Sequence, residues 1–532
     1  MLVPSIKSNS DWCCIEAAMT KFIAASVAII GLLASRSAGA ADIPAPVYKA
    51  PVAVAVYNWT GFYLGGNAGV SAGVAPLTQT STVPPFPPDI NNQSTHSAFG
   101  AVGGLQAGYN WQAGKSVWGI EGDFQLSGQR SDPTCLTFCD FNFQTPTQIQ
   151  FDSVAQRIPW FATLRGRLGY AAGPTLFYLT AGAAFADIKT TYGTTEFAAF
   201  NGTISDSRVG VAIGGGVEAA LSGNWTAKVE YLYLDFGSVS ETFRYSAPGG
   251  GFGPPGPIPI VSVVSGNVSD HILRAGVNYR FGDPAPATAS AMPTKAPPIP
   301  PAAYNWSGFY VGGNFGYGVG RNPTTENTFG LFGNSNELFT HVPRGVLGGI
   351  QAGYNFMPLN WLALGVEADY QLADQRDTAC FSWCFQTNTT YTQTQHWFAT
   401  ARGRVGVAAG PALFYATGGG AWTTIGTTAS QTNSITTIAG TTFFTGSGSF
   451  SDQKSGWVVG GGVEGAIGGN WTAKVEYLYL DFGSIAHLYP AAIPTNLADP
   501  NIHISSQVRD NVFRAGLNYH FAAAPPIVTA SY

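Results

Sequence analysis

The chain has 532 residues and a formal net charge of −5, yet charged residues make up only 10% of it, against about 25% in ordinary soluble domains. Glycine occurs 67 times and aromatic residues make up 13%. A membrane-spanning helix needs about 20 apolar residues in a row, and the longest such run, 22–34, has only 13. Without a basic excess, nucleic acid is excluded as an expected partner. Six cysteines are too few for a disulfide-built scaffold. Together these features predict an all-β membrane protein.

The N-terminal segment carries an export signal. Lys21 precedes the apolar run 22–34, and small residues follow it as far as Ala40. This order predicts a signal peptide over 1–40, cleaved near Ala41. The run is too short for a membrane anchor. The residues before Met19 fit a signal poorly, so we expect translation to begin at Met19.

The rest of the chain is an internal duplication. NWTGFYLGGN at 58–67 recurs as NWSGFYVGGN at 305–314, and GNWTAKVEYLYLDFGS at 223–238 is identical to 469–484. A repeat unit of this length is a whole domain rather than a solenoid repeat. The predicted organisation is a Pro/Ala-rich periplasmic leader over 41–57, a first domain over 58–281, a Pro-rich linker over 282–303, a second domain over 304–521 and a tail over 522–532.

Alternating apolar and polar residues predict eight strands in each copy. In the first copy they fall near 61–73, 101–112, 117–127, 160–171, 175–187, 208–221, 225–236 and 271–281. Short turns follow the second, fourth and sixth strands, and long loops follow the others. This layout is typical of outer-membrane barrels, whose short turns are periplasmic. We therefore expect two tandem eight-stranded antiparallel up-and-down transmembrane β-barrels. A soluble β-sandwich explains the export signal and the low charge less well, and a single 16-stranded barrel would have to place the Pro-rich stretch in one turn.

Strand alternation also locates the charged residues. Trp118, Ile120 and Phe124 face one side, so Glu121 and Asp123 face the lumen. The same rule gives four acidic and four basic lumen residues in each copy. They are Glu121, Asp123, Arg165, Arg167, Glu218, Lys228, Glu230 and Arg274 in the first copy and Glu367, Asp369, Arg402, Arg404, Glu464, Lys474, Glu476 and Arg514 in the second. Buried charges need partners, so a closed, charge-paired lumen is expected. For Glu121 and Asp123, structural pairing is favoured over an acid/base pair.

The remaining reactive residues show no catalytic pattern. Cys135 and Cys139 occupy the same long loop as Cys380 and Cys384 of the second copy. In an exported protein each pair is expected to form a local disulfide, because C-x-x-x-C lacks the second ligand pair of a metal site. The seven histidines fall mostly in different places in the two copies and are interpreted as solvated loop residues. Accordingly, we expect no catalytic residue, metal or cofactor.

The motifs, in their order, resemble a known family. Each copy opens with NW[TS]GFY, continues through WFATxRGRxG and GNWTAKVEYLYLDFG, and closes with RAGxNYxF. This resembles the outer-membrane immunogenic-protein or porin-like family of Gram-negative bacteria, whose members are eight-stranded barrels. The resemblance implies the bacterial outer membrane as the location. It also implies that the last strands, ending on Tyr279 and Phe281 or on Tyr519 and Phe521, are recognised by the barrel-assembly machinery. Lipid contact alone would explain the same aromatics.

The predicted function is a structural role. We expect outer-membrane lipid around both barrels, an envelope-integrity and surface-presentation role, and long extracellular loops available to host or surface ligands. The alternative is a porin that passes small hydrophilic solutes across the outer membrane.

Overall fold

A computed structural model describes most of both copies. The described residues are 57–84, 86–131, 134–135, 152–194, 199–221, 223–247, 256–282, 304–330, 333–383, 387–437, 440–490 and 501–521. The predicted signal peptide, nearly all of the leader and linker, and the tail lie outside them. No helix in these ranges has the length and apolarity needed to cross a membrane.

The described chain folds into antiparallel strands. In the first copy they are β1 (Gly61–Val83), β2 (Phe86–Ala113), β3 (Ser116–Ser131), β4 (Thr134–Cys135), β5 (Asp152–Ala172), β6 (Thr175–Thr194), β7 (Phe200–Ala220), β8 (Trp225–Ala247) and β9 (Ile258–Arg280). In the second they are β10 (Gly308–Gly320), β11 (Asn322–Gly330), β12 (Gly333–His341), β13 (Arg344–Leu359), β14 (Leu362–Trp383), β15 (Thr387–Ala409), β16 (Ala412–Thr437), β17 (Gly440–Gly468), β18 (Trp471–Pro490) and β19 (Asn501–Phe521).

Each copy closes its own ring. In the first copy β1 pairs with both β2 and β9, so Tyr63 lies opposite Gly108 on one side and Arg280 on the other. The ring is completed in chain order through β3, β5, β6, β7 and β8. In the second copy β10 closes on β13 and β19, and β11 and β12 form an inserted hairpin. The prediction of two eight-stranded barrels is confirmed.

The connections are short at one end of the barrels, as predicted. Gly114, Gly173 and Gly223 have φ of 61°, 64° and 56° in the turns after β2, β5 and β7, a left-handed conformation that glycine adopts without strain. At the other end the predicted strand limits are wrong. β1 continues to Val83 and β2 begins at Phe86, so most of the expected loop is a hairpin.

These strand extensions have a physical basis that the sequence pattern obscures. Continued pairing satisfies backbone N–H and C=O groups, and the inward side chains of several extensions share one apolar cluster. Leu77, Ile188, Tyr192 and Phe243 are among its members, each no more than 5% exposed. Outward Ser and Thr residues between them make the same segments look like polar loops. A barrel wall therefore continues beyond the lipid-facing band.

Crowding within the wall explains one glycine run. Gly214, Gly215 and Gly216 lie in β7. A Cβ added to Gly214 would stand 2.1 Å from the carbonyl oxygen of Tyr231 on β8. A larger residue there would push the two strands apart.

Candidate functional site

The lumen of the first barrel holds a connected set of ion pairs. Arg165 projects from β5 and contacts three carboxylates on two other strands: Glu121 at 2.6 Å, Asp123 at 2.9 Å and Glu230 at 3.0 Å. The side chains are no more than 1% exposed. One guanidinium therefore joins β3, β5 and β8 inside the barrel.

Two more cations complete this layer. Arg274 on β9 pairs with Asp123 at 3.0 Å and with Glu230 at 2.6 Å. Lys228 on β8 donates to both oxygens of Glu121 at 2.9 Å. Every carboxylate of this group thus contacts at least two cations, as burial of charge requires.

Arg167 forms a second layer towards the short turns. It pairs with Glu218 at 2.8 Å and donates to the hydroxyl of Tyr63 at 2.8 Å. Its guanidinium also lies 3.9 Å from the centroid of the Tyr178 ring, a cation–π contact. Glu218 accepts a further hydrogen bond from Asn278 at 2.9 Å.

The second copy repeats the network almost atom for atom. Arg402 contacts Glu367 at 2.5 Å, Asp369 at 2.8 Å and Glu476 at 3.0 Å. Arg514 pairs with Asp369 at 3.0 Å and Glu476 at 2.6 Å, Lys474 with Glu367 at 2.8 Å, and Arg404 with Glu464 at 2.9 Å. The structure therefore brings together all sixteen lumen residues that alternation selects, eight in each barrel.

One difference between the copies lies near the end of the last strand. Arg280 lies at the rim of the first barrel, beside the rings of Tyr57 and Trp59. Its counterpart His520 is buried, and its Nε2 lies 3.2 Å from Glu464. At this position the second lumen thus contains an imidazole beside Glu464, whereas the first has an arginine at its rim.

A buried tryptophan lies between each charge network and the short turns of the same barrel. Trp59 is fully buried, and its indole N–H donates to the carbonyl of Gly173 at 3.2 Å. It packs with Val117, Leu176 and Tyr178. Trp306, also fully buried, occupies the same place in the second barrel. Each barrel interior is therefore layered: a tryptophan cluster, the charges, and then an apolar cluster on the side of the strand extensions.

The sequence analysis missed the uncharged members of the network. The hydroxyl of Tyr63 donates to Glu121 at 2.8 Å while it accepts from Arg167, and Tyr310 does the same with Glu367 and Arg404. The signal was present in the sequence, because Phe62 and Leu64 face outward and Tyr63 must then face the lumen. Tyr63 and Tyr310 are uncharged, so the expectation that buried charges need partners does not select them.

The lipid-facing pattern is largely as predicted, except where the other barrel covers the outer face. Trp118, Ile120 and Leu164 are 45%, 52% and 57% exposed on the outer face. The alternation that ends on Tyr519 and Phe521 also predicts a lipid-facing Phe513, and this is wrong: Phe513 is 4% exposed, with its ring 5.5 Å from that of Tyr231 in the other copy. A neighbouring barrel covers it.

The interpretation of the histidines as solvated is wrong for four of them. His96, His271, His341 and His520 are no more than 5% exposed. His96 and His341 lie in strand extensions that turn inward, and His520 faces the lumen. His271 faces outward and is covered by the second barrel.

The cysteine pairs cannot be placed. Cys139 and Cys384 lie outside the described residues, so the two disulfides stay predictions. Within the described ranges, no group of His, Cys, Asp and Glu is arranged to hold a metal ion. Two cavities of about 20 and 10 Å³ occur among the strand extensions, one beside His341 and His487 and one beside His96. Such volumes have room for about one water molecule each.

Comparison with known proteins agrees with this architecture. The sequence matches the family described as "Outer membrane protein beta-barrel domain" twice, over residues 35–281 and 285–521. The chain belongs to this family. As a member of the outer membrane protein beta-barrel domain family, it carries the domain in tandem and is a protein of the bacterial outer membrane.

Its curated relatives carry about one copy each. The 31 kDa outer-membrane immunogenic protein of Brucella melitensis is 33% identical over 269 residues, which cover 48% of this chain and 98% of the relative. The 22 kDa outer membrane protein of Rhizobium leguminosarum bv. viciae is 32% identical over 181 residues, 34% of this chain and 66% of the relative. Among solved structures, Neisserial surface protein A shares 15% identity with a TM-score of 0.20, covering 42% of this chain and 98% of that one.

Proposed function

We propose that the protein is a structural and surface-presentation component of the outer membrane, with two lumens closed by charge pairing. The observation that carries the proposal is the ion pairing of the eight network charges in the buried lumen of each copy. Arg165 and Arg402 each contact three carboxylates, with side-chain exposures of 0% for both arginines.

A solute path would need a continuous polar opening along the lumen. Side chains just fill the interior of a barrel of eight strands, whereas 16 strands leave an aqueous channel. Here the fully buried Trp59 and Trp306 lie below the charges, and buried apolar side chains such as Phe161 and Phe398 lie above them. Ions would have to break these contacts and displace several buried rings. Such a lumen suits a structural barrel better than a pore.

The surface role rests on the strand extensions. They carry the wall beyond the lipid-facing band, at the end opposite the short periplasmic turns, and so present a folded surface to the outside. The immunogenic outer-membrane relatives are consistent with such exposure. Host or surface ligands of the extracellular hairpins, and recognition of the terminal strands by the barrel-assembly machinery, belong to this proposal.

Planar-bilayer recording of the purified full-length protein tests the proposal. We expect no stable conductance steps from the wild-type protein. The matched variant replaces Arg165 and Arg167 with Ala in the first barrel, which leaves acidic groups unpaired and admits water; small, irregular leaks are expected from it.

Large, stable steps from the wild-type protein would overturn the closed-lumen proposal and support the alternative, a porin for small hydrophilic solutes. Repeating the recording with Arg402 and Arg404 replaced assigns any leak to a barrel. Retained heat-modifiable migration on gels is the control for folding of every variant.

A further inference from the structure

One stretch of the outer face of each barrel is buried although it points away from its own lumen. Most outward residues are widely exposed, for example Leu179 at 71% and Ile350 at 70%. In contrast, Val217 on β7 and Val463 on β17 are 2% and 0% exposed. They belong to the same apolar cluster, so each is covered by the other barrel.

The cluster is built from equivalent residues of the two copies. Its members include three matched pairs: Val217 with Val463, Val229 with Val475, and Phe177 with Phe414. The same patch of each copy thus contacts its counterpart, as across the isologous interface of a two-fold dimer. Both copies have their short turns on the periplasmic side, and this is compatible with a pseudo-two-fold axis along the membrane normal.

A small residue lets the two walls approach closely near the periplasmic end. A Cβ added to Gly465 would stand 2.6 Å from the ring of Phe177 and 3.3 Å from the methyl group of Thr175. Both residues belong to the first copy, and they supply all three of the heavy atoms nearest to the added Cβ. Gly465 is therefore fitted to the opposite barrel rather than to its own strands.

Aromatic rings continue the contact towards the outer rim. The imidazole of His271 stacks on Tyr317 of the second copy, with centroids 4.8 Å apart and planes at 13°. It lies 5.9 Å from Phe513 and accepts or donates a hydrogen bond at 2.8 Å with Tyr231. In an isolated barrel this polar ring would face lipid or the lipid headgroups. Burial against the second copy explains its position.

Polar contacts extend the interface between the two barrels beyond the membrane. The hydroxyl of Thr95 in the first copy donates to Asp377 in the second at 2.7 Å, and Arg344 lies 3.2 Å from the same hydroxyl. Backbone pairing also crosses between copies, with Gln93 opposite Cys380. The contact therefore runs from the short turns to the extracellular hairpins.

From these observations we propose that the two barrels form a laterally docked pair in the membrane, each barrel being the specific partner of the other. The interaction surface is the matched apolar patch around Val217 and Val463 together with the rim aromatics around His271. Docking is held by this surface and does not depend on the Pro-rich linker.

The test uses the full-length protein in native outer membranes, with a protease site inserted in the linker. Cysteines at Val217→Cys and Val463→Cys should be joined by a short thiol-reactive cross-linker, so that the two halves stay in one band after the linker is cut. Cys135, Cys139, Cys380 and Cys384 are replaced with Ser in every variant of this experiment, so that only the introduced thiols react. Control cysteines at Leu168 and Val366, outward residues 65% and 62% exposed, should give no such band.

A wedge variant distinguishes docking from chance proximity. Gly465→Leu should reduce the cross-linked fraction by about tenfold, because a side chain is forced where no space exists. Gly403→Leu is the matched control: a Cβ there meets only the carbonyl oxygen of Gly418, at 3.9 Å, and the cross-linked fraction should not change. Both variants should retain heat-modifiable migration.

Failure of the Val217 and Val463 cysteines to cross-link in a folded protein would overturn the proposal, as would equal cross-linking of the exposed control pair. An unchanged yield in folded Gly465→Leu protein would also count against it. Should Gly465→Leu fail to fold, His271→Ala is the second test of the interface. We expect it to lower the cross-linked fraction, because it removes the ring that stacks on Tyr317.

Discussion

Lys228 stands across the lumen from Glu121 and donates to both of its carboxylate oxygens at 2.9 Å. Lys474 holds Glu367 in the same way, at 2.8 and 3.0 Å. These contacts join β8 to β3 and β18 to β14, strands that are not neighbours in the wall. The ion pairs therefore brace each barrel across its interior, in addition to the hydrogen bonds around its circumference.

Arg165→Ala should destabilise the first barrel strongly. Removing one partner from a buried ion pair costs about 3–5 kcal/mol, because the remaining charge is left buried and unpaired. Arg165 contacts three carboxylates. Each of them keeps at least one other cation, but the lumen is left with one buried negative charge in excess, so we expect a loss within this range. The measurement is the urea midpoint of heat-modifiable migration for each half, after the linker is cut.

The matched control is Arg208→Ala. The Arg208 side chain is 33% exposed and pairs with Asp206, so its loss should cost no more than about 1 kcal/mol. The half containing the second barrel should be unchanged in both variants, and Arg402→Ala should reverse this pattern. Equal effects of Arg165→Ala and Arg208→Ala would contradict the bracing role.

Tyr63→Phe should weaken the first barrel while preserving its shape. The hydroxyl bridges Arg167 and Glu121, and its removal leaves part of a buried hydrogen-bond network unsatisfied, at about 1–3 kcal/mol. Tyr310→Phe should give the same loss in the second barrel. Tyr109→Phe, on the outer face and 38% exposed, should change the free energy of unfolding by less than about 0.5 kcal/mol.

Trp59→Ala should open space at the periplasmic end of the first barrel. Large-to-small replacement of a buried tryptophan costs about 3–5 kcal/mol. We expect the free energy of unfolding of the first half to fall by this amount, which is measured as a lower urea midpoint. The charge network remains above the new cavity, so bilayer recordings should still show no stable steps. A conductance increase in Trp59→Ala alone would assign the closure of the lumen to the tryptophan instead of the ion pairs.

The loop cysteines should pair locally. We expect Cys135 bonded to Cys139 and Cys380 bonded to Cys384, with a modest stabilisation because the closed loops are short. Peptide mass spectrometry without reductant measures the linkage directly. Free thiols at all four positions, or a linkage between the copies, would show the prediction to be wrong.

The sequence predicted the barrels and their charges because both depend on local alternation. A period of two assigns Glu121 and Trp118 to opposite faces whatever the rest of the fold does, and the turn glycines Gly114 and Gly173 mark the short connections. These features require no knowledge of distant contacts.

The errors arose where a residue's surroundings come from a distant part of the chain. Phe513 follows the lipid-facing pattern perfectly, yet it is covered by Tyr231 of the other copy, and alternation carries no information on such contacts. His271 was missed for the same reason. The strand extensions were missed because Ser- and Thr-rich alternation is typical of both loops and solvent-exposed β-hairpins.

The height of the wall has a consequence for recognition from outside. β1 has 23 residues, or about 75 Å at ~3.3 Å per residue, and a tilt of about 40° leaves a vertical rise of about 57 Å. The lipid-embedded belt of such barrels is about 25 Å tall. More than half of the wall therefore projects outside the bilayer, chiefly on the extracellular side, as hydrogen-bonded hairpins. An antibody or phage approaching the cell would meet epitopes assembled from adjacent strands, and boiled antigen or linear peptides would reproduce few of them.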